Sequence, residues 1–254
     1  MTVLVVGASG ATGRLVVGQL LGRGMPVRAI IRPQSSLPDN LSNRKNLTII
    51  RTVVSDLTDA DMAQHVKGCD AILSCLGHNM SFKGIYGQPR RLVADATRRL
   101  CKAVITGKPQ QPVKFVLMNT AGNSNRDLSE RVSWAEKCVI GLVRLLVPPH
   151  ADNEKAADFL RVEIGQTHPD IEWAAVRPDS LTNADAITDY DEHPSPIRSA
   201  IFNPGSTSRI NVAHFMAELV TNPDKWRRWK GQMPVIYNRT ACSASARDLG
   251  SPAR

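Results

Sequence analysis

The sequence predicts an α/β chain built on a doubly wound parallel sheet. Three observations carry that reading. Short continuous apolar runs, such as Val3-Leu4-Val5-Val6, mark strands buried on both faces. Stretches with helical apolar spacing lie between those runs, so strand and helix alternate. A glycine-rich turn joins the first run to the first helical stretch.

Taken in order, Val3 to Val6 predicts the first strand. Ala11 to Arg23 predicts a helix, with Leu15, Val16, Leu20 and Leu21 apolar and Gly22 and Gly24 closing it. Val27 to Ile31 and Leu47 to Val54 predict the second and third strands. Thr58 with Asp61 forms an N-cap pair for a helix reaching Val66. Ala71 to Leu76 is a fourth strand, 85–106 a longer helix, and Val113 to Met118 a fifth strand. Helical stretches over 130–146 and 152–167 are divided by Pro148-Pro149. Ile171 to Val176 is a sixth strand. Beyond Pro178 the pattern loosens: residues 179–208 are rich in Pro, Ser, Asn and Asp. A helix returns over Val212 to Val220 and a strand over Pro234 to Tyr237. The tail from 239 to 254 is small, polar and expected to be flexible.

Composition narrows the class. The chain has 254 residues, 42% of them hydrophobic, so it can bury a core without a disulfide or metal staple. No apolar run approaches the roughly 18 residues of a membrane span. The longest, Cys138 to Val147, is interrupted by Arg144 and predicts a half-buried helix. The first apolar run is a strand without a basic segment before it, so no signal peptide is expected. Five widely spaced cysteines without a C-x-x-C pair predict reduced thiols and a cytoplasmic protein. Six scattered histidines show no metal-ligand spacing, so no metal is expected. The net charge of +9 favours polyanionic partners, a phosphate-rich cofactor among them.

The turn reads Gly7-Ala8-Ser9-Gly10-Ala11-Thr12-Gly13. It follows a buried strand and opens a helix, the context in which such a motif binds a dinucleotide. Gly7 permits the tight turn, Gly10 a close backbone approach to pyrophosphate, and Gly13 close packing of helix on sheet. Free N–H groups at the helix start then meet the phosphates, and Ser9 and Thr12 add hydroxyls. The fold is therefore Rossmann-type, with a small substrate-binding portion at the C-terminal end. Residues 1–178 are expected to hold the cofactor and 179–238 to pack on the same domain as the substrate side.

The second strand ends Ile30-Ile31-Arg32-Pro33. An NAD site places a carboxylate there for the ribose 2′-hydroxyl. Arg32 instead suits the 2′-phosphate of NADP through charge-assisted hydrogen bonds. Arg14 is placed to assist. Asp56 and Leu57 follow the third strand, where the Asp56 carboxylate can accept from the adenine amino group. Cys75, Leu76 and Gly77 follow the fourth strand, on the path of the nicotinamide ribose.

These residues resemble the short-chain dehydrogenase/reductase superfamily. More narrowly they resemble its atypical, NmrA-like branch of NAD(P)H-binding proteins, which includes flavin and biliverdin reductases. The likeness rests on residues 5–14, residues 27–32, Asp56-Leu57, residues 154–161, Val176-Arg177-Pro178 and residues 209–213, and covers 1–238. It implies that Pro178 borders the cofactor. It also implies that Lys155 holds the nicotinamide ribose and that Thr120 takes the Ser/Thr position beside it. The superfamily's Tyr-x-x-x-Lys pair is broken: Ala151 stands where the tyrosine proton donor belongs.

Two readings follow. In one, a reductase passes hydride from NADPH to an acceptor needing little acid catalysis: a flavin, quinone or conjugated carbonyl. His150, beside the vacant position, is the first candidate to supply a proton and His78 the second. In the other, the chain binds NADP without turnover and senses redox state. Arg90-Arg91 and Arg98-Arg99 read as a solvated helix face. Trp226-Arg227-Arg228-Trp229-Lys230 reads as tryptophans packed inward with bases outward, so nucleic acid is not an expected partner.

Overall fold

A computed structural model describes residues 1–78, 87–130 and 133–239. Residues 85–86 and 131–132 of two predicted helices, Cys242, and the tail from 240 lie outside that range. The elements are β1 (Val3–Val6), α1 (Gly13–Gly22), β2 (Val27–Ile31), α2 (Asp39–Ser42), β3 (Leu47–Arg51), α3 (Asp59–Val66), β4 (Ala71–Ser74) and α4 (Leu92–Gly107). There follow β5 (Val113–Met118), α5 (Trp134–Leu146), α6 (Pro148–Asp158), β6 (Ile171–Pro178), β7 (Ser180–Thr182), β8 (Tyr190–His193), β9 (Ser206–Ser208), α7 (Arg209–Thr221), α8 (Pro223–Trp229) and β10 (Val235–Asn238).

Eight strands form one sheet in the order β3-β2-β1-β4-β5-β6-β10-β8. All neighbours are parallel except β8, which runs antiparallel against β10 at the edge. The chain crosses from β1 to β2 on one side and returns to β4 on the other. The reversal leaves a crevice beyond the carboxyl ends of β1 and β4, where open α/β sheets bind ligands.

Helices on both faces explain why β1 is apolar without alternation. Val3 and Val5 lie in one core cluster with Val16 and Leu20 of α1, Phe215 and Leu219 of α7, and Trp226 and Trp229 of α8. Leu4 and Val6 face the opposite cluster, with Met62 of α3, Leu100 of α4 and Ala156 of α6. Thr58 caps α3 in a reciprocal box with Asp61. The Thr58 hydroxyl accepts from the Asp61 N–H, and the Asp61 carboxylate from the Thr58 N–H.

Several boundaries differ from expectation, each for a physical reason. β3 stops at Arg51, and a 3₁₀ turn takes Val54–Asp56. α4 begins at Leu92, so Arg90 and Arg91 precede it. Arg99 is no solvated residue: its guanidinium clamps that 3₁₀ turn by donating to the carbonyls of Val54, Ser55 and Leu57. α6 starts at Pro148 rather than 152, because proline at the first helical position loses no hydrogen bond. It continues as a π-helical stretch over Phe159–Ile164.

The apolar run of α5 is not half buried. Only Glu136 and Ile140 are buried, while Leu142, Leu145 and Leu146 are 56%, 78% and 52% exposed. The helix leans on α6 through Arg144 and presents its leucines outward. Residues 179–208 are not wholly irregular, since they contain β7, β8 and β9. Trp226 and Trp229 are buried and donate to Glu172 and Glu192, with Arg227 and Arg228 exposed. No helix among the described residues is long and apolar enough to cross a membrane.

Candidate functional site

Gly7 ends β1 at φ +72°, where a side chain would be strained. A Cβ there would also sit 2.7 Å from the carbonyl carbon and oxygen of Cys75, so the turn lies directly on the end of β4. At Gly13 a Cβ would come within 2.1 Å of the Gly7 oxygen, which binds the start of α1 to the turn. The Gly10 N–H closes the loop on that same oxygen at 3.0 Å. Thr12, the N-cap of α1, makes no side-chain capping bond, and no acidic residue lies in the first turn. Among the described residues, nothing accepts from the N–H groups of Ala11, Thr12 and Gly13. A bare helix start without a competing carboxylate is a place for an anion.

A cleft of about 280 Å³ opens at this point. Gly7, Ser9 and Gly10 form its floor, and Cys75, Leu76, Gly77 and His78 form one bank. Ile30, Ile31, Arg32 and Thr52 to Ser55 form the other, and Gln88, Pro89 and Leu92 close the top. Arg32 is exposed at its rim. Asp56 and Leu57 do not line it. β3 ends early, and the 3₁₀ turn leaves Asp56 outward, accepting from the Ser55 hydroxyl at 3.0 Å. Leu57 is buried in the core instead. Burial pushes the Cys75 thiol up to about 12, so Cys75 lines the cleft as an inert group. A Cβ at Gly77 would meet no described atom within 4 Å.

The remaining predicted residues gather at the carboxyl ends of β5 and β6, outside this cleft. Asn119 donates from Nδ2 to the Asn153 carbonyl at 3.0 Å, tying the end of β5 to α6. The Thr120 N–H donates to Asn119 Oδ1 at 2.8 Å, and the Thr120 hydroxyl accepts from the Gly122 N–H. Pro178 ends β6, and its carbonyl accepts from the Ala121 N–H. Lys155 projects from the exposed side of α6, one turn beyond Ala151.

His150 is turned away from that exposed side. Its Nε2 lies 3.5 Å from Glu154 Oε1, and its side chain is only 12% exposed. Glu154 also accepts two bonds from Arg144, at 2.6 and 2.7 Å. Burial alone would raise the Glu154 pKa. The charges of His150 and Arg144, with the two bonds from Arg144, outweigh it and hold the carboxyl at about 2. The folded value lies below the ordinary 4.5. This group therefore stabilises the fold above pH 4.5, and that contribution fades as pH falls towards 2. Amides of α5 and α6 should lose hydrogen-exchange protection in that window. Because other carboxylates also titrate there, the control is Glu154→Gln, whose α5–α6 protection should be lower at neutral pH and should change less with acid. Equal acid profiles for the two proteins would refute this assignment.

Sequence reasoning missed three residues that build the site. Asp152 is 1% exposed and accepts from the N–H groups of Val93 and Ala94 at the start of α4, at 2.8 and 3.0 Å. It also accepts from His78 Nε2 at 2.8 Å. Glu130 meets the wholly buried Arg177 at the end of β6. Asn119 organises the turn after β5. Asp152 and Glu130 belong to no local motif, because each acts on an element remote in sequence, and Asn119 joins the next residue to the distant α6.

The NAD(P)H-binding family pattern matches residues 7–223, from the glycine turn to the first residue of α8. This chain belongs to the NAD(P)H-binding family. Among solved structures, the oxidoreductase ylbE from Lactococcus lactis superposes with a TM-score of 0.66 at 19% identity. That match covers 94% of this chain and 91% of the other. ChuY, an anaerobilin reductase from Escherichia coli O157:H7, gives 0.65 at 16% identity, covering 94% and 97%. At that identity the likeness is one of fold. A divinyl chlorophyllide a 8-vinyl-reductase from Oryza sativa subsp. indica is 50% identical over 64 residues, 23% of this chain. That stretch and a second one, shared with a Synechocystis protein, span only 15% and 20% of those relatives. The resemblance to atypical short-chain dehydrogenase/reductases thus holds at the level of family and fold.

Proposed function

We propose that this protein is an NADPH-dependent reductase of the atypical short-chain type. Its acceptor is a small organic molecule, a flavin, quinone or conjugated carbonyl, reduced without a catalytic tyrosine. The observation that carries this reading is the open start of α1 beneath the glycine turn, combined with Ala151 at the tyrosine position. The reductase names of the vinyl-reductase and anaerobilin-reductase relatives support it.

The N–H groups of Ala11, Thr12 and Gly13 would hold pyrophosphate, with Ser9 beside them. Arg32 would read the 2′-phosphate at the cleft rim. Thr120, Lys155 and Pro178 would border the nicotinamide, which supplies hydride when the cofactor is bound. Residues 1–178 would form the cofactor-binding part, and 179–238 the substrate wall. Three buried free thiols support a reducing, cytoplasmic setting.

A panel of flavins, quinones and enones, scored by NADPH oxidation, tests the reading. Turnover of at least one acceptor is expected. Tight NADPH binding without turnover of any would replace it with the redox-sensor reading. Arg32→Ala separates the cofactors. It should weaken NADPH by about 10- to 100-fold, the loss of one charge-assisted bond, and leave NADH nearly unchanged. Equal losses for both would remove the NADP assignment.

A further inference from the structure

His78 lines the cleft immediately after β4, and its side chain is only 5% exposed. Its Nε2 lies 2.8 Å from the Asp152 carboxylate. Asp152 sits on α6 beside Ala151, and α6 is fastened over the end of β5 by the bond from Asn119 to Asn153. The imidazole therefore links the segment after β4 to α6.

Sheet order gives the direction. From the phosphate site at β1, strands β2 and β3 lead past Arg32 and Thr52 towards the adenosine side. β4 and β5 lead the other way, towards the nicotinamide half of a dinucleotide laid across the switch point. His78 stands on that second side.

Asp152 also fixes which nitrogen is open. The oxygen facing His78 accepts from the Val93 N–H, and the other oxygen from the Ala94 N–H. An acceptor held on both oxygens by α4 cannot rotate away, and it selects imidazole with its proton on Nε2. Nδ1 is then the nitrogen left for the cleft. A base whose orientation is set by a third group is the arrangement by which catalytic histidines are made ready. His150, in contrast, has Nε2 buried against Glu154.

We infer that His78, oriented by Asp152, is the proton donor that replaces the missing tyrosine. The inference rests on the reductase reading above. In the step, one atom of the acceptor would take the hydride that bound NADPH supplies. Its partner atom, or the oxygen conjugated to it, takes the proton from Nδ1 of the imidazolium. The acceptor would gain two electrons and two hydrogens, both electrons coming with the hydride, and the imidazole would be left neutral with Nε2–H on Asp152. Water returns the proton. His78 is the catalytic residue and Asp152 the positioning residue.

Two measurements on the full chain test this. The first is the ¹⁵N spectrum of the imidazoles, with His78 assigned by loss of its signals in His78→Gln. Neutral His78 should carry its proton on Nε2, and the Nδ1 signal should move when NADP⁺ is added. Asp152→Asn should shift the tautomer balance towards Nδ1–H. A wild-type Nδ1–H tautomer, or signals indifferent to cofactor, would overturn the dyad. The second is turnover with whichever acceptor the panel yields. His78→Gln should lower kcat by roughly 100-fold or more, the range of a lost general acid, with NADPH affinity within about twofold of wild type. If wild type turns over and His78→Gln stays within about threefold, the donor role fails while the reductase reading stands. If wild type reduces nothing in the panel, the reductase reading fails and the donor role falls with it, whatever the spectrum shows.

Discussion

Replacing Arg177 with alanine is expected to cost about 3–5 kcal/mol of stability, the range for breaking a buried ion pair from one side. The guanidinium is completely buried. Its Nε donates to the Met233 carbonyl at 2.7 Å. Nη1 donates to the Asn123 carbonyl at 2.8 Å and to Glu130, and Nη2 donates to Glu130 at 2.7 Å and to the Pro194 carbonyl at 3.1 Å. One side chain thus joins the end of β6, the loop after β5, the approach to β10 and the segment after β8. Removal would strand a buried carboxylate and three carbonyls. Lysine would not repair it, because a single ammonium cannot reproduce the planar fork. Urea denaturation measures the effect, and a double-mutant cycle with Glu130→Ala should show strong coupling. An unchanged midpoint for Arg177→Ala would mean that the wall beyond β6 stands without this residue.

The second large effect is expected at Gly13. The Cβ of Gly13→Ala would overlap the Gly7 oxygen at 2.1 Å, and no rotamer relieves it because Cβ is fixed by the backbone. α1 must shift away from the glycine turn, carrying with it the N–H groups of Ala11 to Gly13. Overpacking of this kind costs about 1–3 kcal/mol. Cofactor affinity should suffer more than stability, falling by about 100-fold or beyond as the N–H groups leave register. Gly22→Ala is the control. It lies in the same helix, and an added Cβ there meets nothing within 4 Å. That variant should bind cofactor normally and melt no lower than wild type. If Gly13→Ala binds as well as Gly22→Ala, the helix start is not the phosphate site.

Legibility from sequence followed burial. β1 was readable because a strand covered on both faces is continuously apolar, as in Val3–Val6, and β2 and β5 because their apolar runs are broken only by Arg28 and Lys114. The glycine turn was readable because its spacing is local. β8 was not, since Tyr-Asp-Glu-His at 190–193 has no apolar pattern and becomes a strand by pairing with β10. The exposure of α5 was also hidden, because an apolar run does not say whether anything lies against it. In the site, a lone carboxylate such as Asp152 gains its meaning from His78, 74 positions away, and from the start of α4. The displacement of Leu57 into the core followed from a strand ending three residues early. Such a boundary depends on turn packing that periodicity does not carry.

Whether the glycine turn and Arg32 together hold NADP, as proposed, can be seen directly. The most direct measurement is a crystal structure of the full chain soaked with NADP⁺. Pyrophosphate is expected against the N–H groups of Ala11, Thr12 and Gly13, with the 2′-phosphate on the Arg32 guanidinium. Pyrophosphate elsewhere in the cleft, or a 2′-phosphate out of reach of Arg32, would contradict it.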